Sequence, residues 1–179
     1  MNAIALDPSL RGFGVYSVRD GQESSEVKRI SSDIGRMDTL GKLFSWLSRL
    51  SAPEKGWGLC IVEGYSLGSK SSAVTVQAEV GGIARGWFSA RDIPVIEVPP
   101  QVWKAVTGVR LKKGTAMHKS DYLNAVRTLY GRDFGTTDEC DAFLIYQCVK
   151  KCGIERPVGP GAVKIRQQLE EFKINAREM

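Results

Sequence analysis

The sequence predicts an α/β fold, a mixed five-stranded sheet flanked by helices. Three observations point to it. The early residues form short runs of apolar and β-branched residues separated by turn residues, as meandering strands do. Residues 57–63 (WGLCIVE) are almost continuously apolar, as expected of a central strand buried on both faces. The second half alternates helical periodicity with one further strand.

Taken in order, residues 2–6 are apolar and read as a first strand. The turn 8–12 leads to a second strand at 12–18 (GFGVYSV), and a shorter third covers 26–31. Residues 38–50 carry Leu40, Leu43, Phe44, Leu47 and Leu50 at helical spacing, and Pro53 follows their end. After the central strand, a long helix spans 71–91, with small residues at Ala73, Ala78, Gly81, Gly82, Ala84 and Gly86. A fifth strand covers 93–98, and Pro99-Pro100 opens a short helix through Val106. A loop bearing glycine and lysine (107–115) separates it from helices at 116–130 and 138–151. This places one domain at 1–152 and leaves 153–179, with Pro157, Gly159, Pro160 and Gly161, as a C-terminal tail or docking helix. Three meandering strands, a helix, a central strand and then alternating helices and strand are the element order of the ribonuclease H-like fold.

The 179 residues suffice for one domain with a substantial core. No apolar run has the length of a membrane span, and no signal-peptide pattern opens the chain. The cysteines Cys60, Cys140, Cys148 and Cys152 form no C-x-x-C pair, and the lone His118 completes no zinc site with them. They read as free thiols in a reducing cytoplasm. The net charge of +5 is unevenly placed. Between Lys104 and Arg132 there are seven Lys or Arg residues and the single acid Asp121. Such a stretch suits phosphate binding, and a solvated helix face is the plainer alternative.

Four acids carry the chemistry. Asp7 ends the first strand, Glu63 ends the central strand, and Asp138 and Asp141 stand three apart at the start of a late helix. Each has a simpler reading: Asp7 as a turn residue, Asp138 as an N-cap competing with Thr136 or Thr137. Asp141 shares a helix face with Asp138, and two like charges there repel unless a cation lies between them. Taken together, in the order this fold requires, the four suit two hard divalent cations and in-line attack on a phosphodiester. The chain therefore reads as a metal-dependent nuclease. Gly64 beside Glu63 leaves room for a metal or phosphate to approach.

Five segments (LDPSLRGFGVY, IVEGYSLGSKSSAVTVQAEVGGIARG, EVPPQVWKAVTG, HKSDYLNAV and TTDECDAFLIYQ) follow in order the pattern of RuvC-type Holliday junction resolvases. The chain resembles that family from about residue 2 to residue 151, and looks most similar to its phage-encoded branch. The resemblance implies a homodimer that nicks four-way DNA junctions with two Mg2+ ions per site, Mn2+ substituting. It implies Asp7, Glu63, Asp138 and Asp141 as metal ligands and Lys119 as a further catalytic residue. The family places an aromatic shortly after the glutamate; here position 66 is Ser66 and the nearest aromatic is Tyr65. Tyr65, Lys70, Lys104, Arg110, Lys112, Lys113 and Lys119 are the candidate DNA contacts. Gly82 and Gly86, one helical turn apart, suit either a dimer interface or close packing on the sheet, whereas Trp87, Phe88 and Trp103 read as core or interface.

A nuclease for flaps, branched DNA or RNA–DNA hybrids would use the same fold and acids. A binder without activity would gain nothing from four acids beside phosphates. An actin-like ATPase needs two such domains, and this chain holds one.

Overall fold

The computed structural model describes residues 1–9, 12–29, 35–50, 56–65, 72–109, 118–155 and 159–179. The sheet comprises β1 (Ala3–Asp7), β2 (Gly12–Arg19), β3 (Gln22–Arg29), β4 (Leu59–Glu63) and β5 (Val95–Val98). Their order is β3-β2-β1-β4-β5. The first three pair antiparallel, and β1, β4 and β5 run parallel, so the sheet is mixed as expected. The helices are α1 (Arg36–Ser48), α2 (Ser72–Ser89), α3 (Pro100–Thr107), α4 (Lys119–Tyr130), α5 (Thr137–Ile154) and α6 (Pro160–Glu171). None is long and apolar enough to cross a membrane.

Strand alternation divides the core into two layers. Ile4, Leu6, Phe13, Val15, Cys60 and Val62 pack against α1 and α2. Ala3, Ala5, Tyr16, Val18, Leu59 and Ile61 face α5, which sends Phe143 and Tyr146 against Tyr16 at ring-centroid distances of 5.1 Å. β4 is buried along its whole length, which explains its unbroken apolar run. All four cysteines are buried and free.

β3 begins at Gln22, four residues before the start expected from the sequence. Asp20 and Gly21, both at positive φ (49° and 84°), form a two-residue turn that pairs Arg19 with Gln22. Asp-Gly is a strong hairpin signal because both turn positions need positive φ. The strand itself is a polar sheet edge, so its sequence lacks apolar alternation. β5 starts at Val95, two residues later than expected, and α5 runs on to Ile154. The helix expected from residue 116 is described from Lys119 onward.

Part of the described segment 159–179 joins the main core. Ala162, Ile165 and Leu169 of α6, with Ala176 and Met179, are buried in the layer that contains α5. Arg166 donates from Nε to the Cys152 carbonyl at 2.8 Å, and the Tyr146 hydroxyl donates to the Met179 carbonyl. Pro160 sits in the first turn of α6, where a missing N–H costs nothing. A Cβ on Gly161 would run into Val102, so glycine lets α6 close onto α3.

Candidate active site

Asp7 and Glu63 follow the alternation of their strands onto the face covered by α5. The parallel register pairs Ala3 with Leu59 and Leu6 with Val62, and one step further brings Asp7 level with Glu63. Across the antiparallel ladder Asp7 pairs with Gly14. A Cβ on Gly14 would overlap the Asp138 backbone carbonyl, and one on Gly12 would stand 3.6 Å from Asp138 Oδ2. The two glycines of GFG thus let the start of α5 settle onto β2 beside Asp7. That approach brings the D-x-x-D pair to the strand-end carboxylates.

The cap of α5 leaves Asp138 available. Thr136 is the N-cap, its Oγ1 accepting from the Glu139 amide at 3.2 Å and donating to Glu139 Oε2 at 3.0 Å. This side-chain cap settles the competition between Thr136, Thr137 and Asp138 for the N-cap in favour of Thr136. In the turn after β1, Ser9 rather than Asp7 is the bonded side chain: its Oγ accepts from the Gly12 amide at 3.1 Å.

Electrostatics shows how closely the acids gather. Burial raises the Asp7 carboxyl well above the usual carboxylate range, and the charges of Glu63, Asp141 and Asp138 add to this, as does a hydrogen bond with Glu63. Asp141 is pushed up to about 7, mainly by burial; Glu63 and Asp138 raise it further, while the Tyr122 hydroxyl and Lys104 pull it back. Among the described residues none of the four carboxylates forms an ion pair with a Lys or Arg. Gathered at a sheet end, they form an oxygen-only donor set of the kind that hard divalent cations prefer. Among the described residues no group of three or more His, Cys, Asp or Glu side chains is set closely enough to hold a metal ion as it stands. The fit to a divalent cation therefore rests on donor chemistry and mutual proximity.

These shifts make a prediction. Asp141 binds its proton more tightly folded than unfolded, so its contribution to stability is complete below its ordinary value of 3.8 and is lost as pH rises through about 7. In EDTA-treated protein, the melting temperature should fall more steeply for wild type than for Asp141→Asn between about pH 5 and about pH 8. Parallel curves in a pH series of thermal melts would show that Asp141 is not held protonated.

Two aromatic donors join the acids without any motif to announce them. Trp103 of α3, 1% exposed, donates from Nε1 to Glu63 Oε1 at 2.9 Å. Tyr122 of α4 donates its hydroxyl to Asp141 Oδ1. The available signal is chemical: a buried Trp or Tyr needs a partner for its N–H or O–H.

The basic candidates are placed unevenly. Lys104 lies with its Nζ 4.9 Å from the Trp103 ring centre, and its charge reaches Asp141. Lys119 is exposed at the start of α4 and, among the described residues, makes no ion pair with the four acids. Tyr65 is tied to α2: Arg85 lies 4.7 Å above its ring, and its hydroxyl donates to the Ala78 carbonyl at 3.3 Å. The space beside Gly64 is taken by the Glu97 side chain, which pairs with Arg85 at 3.2 Å. Lys70, Arg110, Lys112 and Lys113, with Ser66, lie outside the described residues. Trp87, Phe88 and Trp103 are buried. On α2, among the described residues, a Cβ at Gly86 would meet nothing and one at Gly82 only the tip of Arg85, whereas one at Gly81 would meet Arg85 at 3.1 Å and Pro8 at 3.7 Å.

A mixed sheet in the order β3-β2-β1-β4-β5, with carboxylates from β1, β4 and α5 gathered at one end, defines the ribonuclease H-like class. No family model matches the chain. A crossover junction endodeoxyribonuclease RuvC of Anaeromyxobacter dehalogenans is 29% identical over 154 residues, covering 83% of this chain and 80% of that protein. Thermus thermophilus RuvC in complex with Holliday junction substrate superposes with a TM-score of 0.60 at 14% identity, covering 86% of this chain and 96% of that one. The yeast mitochondrial Holliday junction resolvase Ydc2 gives a TM-score of 0.50 at 12% identity, covering 98% and 83%. By sequence and by fold, the chain is similar to RuvC proteins.

Proposed function

We propose that the chain is a metal-dependent endonuclease that resolves four-way DNA junctions by paired nicks. The observation that carries this reading is the gathering of Asp7, Glu63, Asp138 and Asp141 at one sheet end in a chain similar to RuvC. Those four side chains would hold two Mg2+ ions, with Mn2+ able to substitute. Ions held there would supply a lowered pKa to an attacking water and positive charge near the leaving oxygen. Glu63 is buried and Asp7 half-buried, which limits competing water, and the β1–β4 register brings them level.

The basic residues serve the DNA. Lys104 lies beside the acids, and Lys70, Arg110, Lys112, Lys113 and Lys119 would extend the phosphate contacts, with Tyr65 at the strand exit. Lys119 acts from the α4 N-terminus on a phosphate rather than on the carboxylates. Two strands of a junction must be cut, so the active form is a homodimer with twofold symmetry. The open face at Gly82 and Gly86 suits that interface. A DNA substrate and four free buried thiols suit a reducing cytoplasm.

Incubation with four-way junction, flap, RNA–DNA hybrid and linear duplex, in Mg2+ or EDTA, tests the function. Paired nicks on opposed junction strands, only in Mg2+, are expected. Efficient cutting of flap or hybrid with an intact junction would replace the reading with the other nuclease of this fold. Charge reversal at Lys112 and Lys113 should flatten the salt dependence of junction binding, by roughly 0.9 in slope for each phosphate that is no longer neutralised. An unchanged slope in a fluorescence-anisotropy titration would remove both lysines from the DNA interface.

A further inference from the structure

Two of the four carboxylates are gripped by uncharged aromatic donors. Trp103 Nε1 takes Glu63 Oε1 at 2.9 Å, and the Tyr122 hydroxyl takes Asp141 Oδ1. The donors come from different helices, α3 and α4, and the acceptors from different elements, β4 and α5. Each donor engages one oxygen of its carboxylate. Trp103 and Glu63 are 1% and 9% exposed, so little water competes for the bond. Lys104 over the Trp103 indole adds a cation–π contact on the ring that makes it.

We propose that Trp103 and Tyr122 are positioning residues that orient Glu63 and Asp141 for a divalent cation. The proposal rests on the reading of the four acids as metal ligands. A carboxylate with free rotation about its last bond offers a cation a shifting target, and a hydrogen bond to one oxygen stops that rotation. A lysine or arginine could do the same, but its charge would compete with the cation. Indole N–H and phenol O–H fix the geometry and leave the negative charge in place. Outer-shell partners of this kind typically change metal affinity about 10–100-fold when removed.

The full-length protein is titrated with Mn2+ while free Mn2+ is followed by electron paramagnetic resonance, for wild type, Trp103→Phe, Tyr122→Phe and Asp7→Asn. Each Phe variant should weaken Mn2+ affinity by about 10-fold or more and raise the metal concentration for half-maximal nicking by the same factor, with the rate recovering at saturating metal. Melting curves and junction affinity in EDTA identify the folded variants. A folded Phe variant with wild-type Mn2+ affinity overturns the proposal for that residue. If Asp7→Asn loses Mn2+ and both Phe variants keep it, positioning fails while the metal site stands. If Asp7→Asn also keeps wild-type affinity, the metal reading falls, and positioning falls with it. Tyr122→Phe removes a single oxygen and so decides the matter should Trp103→Phe not fold.

Discussion

Asp7→Asn should abolish nicking of a four-way junction, by on the order of 10²–10³-fold or more, and leave junction binding unchanged or tighter. Asp7 ends the central β1, and the charges of Glu63, Asp138 and Asp141 all reach it. Asparagine keeps the shape, so the strand and its register persist. The substitution replaces a carboxylate oxygen with an amide nitrogen in the middle of the set. It also lowers repulsion toward phosphates, which is why binding should not weaken. The two readouts must separate, with nicking followed on gels and binding by anisotropy. Failure of both together would mean that the substitution unfolded the protein, and near wild-type nicking would remove Asp7 from the site.

Gly14→Ala should be among the most destabilising single-methyl changes in the chain. The added Cβ would overlap the Asp138 carbonyl, a backbone atom that no side-chain rotation can move. Overpacking of this kind costs about 3 kcal/mol or more, against a total stability of about 5–15 kcal/mol for an ordinary domain. Relief requires α5 to lift from β2, which carries Asp138 and Asp141 away from Asp7 and Glu63. A folded remainder should therefore be inactive as well as less stable. Urea denaturation measures the first effect and the nicking assay the second. A Gly14→Ala protein with wild-type stability and activity would mean that α5 does not approach β2 this closely.

The parts legible in the sequence share a physical cause. β1 and β4 are apolar runs ended by an acid, and a carboxylate at the end of a buried strand needs a chemical reason to be there. Element order then leads to the sheet, because strand and helix periodicities are local. What stays hidden depends on contacts between distant segments. Gly12 and Gly14 look like ordinary strand glycines until α5 is seen resting on them. The bonds from Trp103 to Glu63 and Tyr122 to Asp141 join residues that no local pattern connects. β3 reads short because a polar edge strand gives no apolar alternation, although Asp20-Gly21 announces the hairpin. The segment beyond 153 reads as a tail or a docking helix because its Pro and Gly residues resemble a linker; Pro160 starts α6 and Gly161 seats it against Val102.

The central claim is that Asp7, Glu63, Asp138 and Asp141 together hold the cations that support nicking. Anomalous diffraction at the manganese edge, from Mn2+-soaked crystals of wild type and Asp7→Asn, tests it most directly. The account predicts manganese peaks in contact with these carboxylates in wild type, absent or much weakened in the variant. Manganese bound only elsewhere, in a protein that nicks junctions in Mn2+, would contradict it.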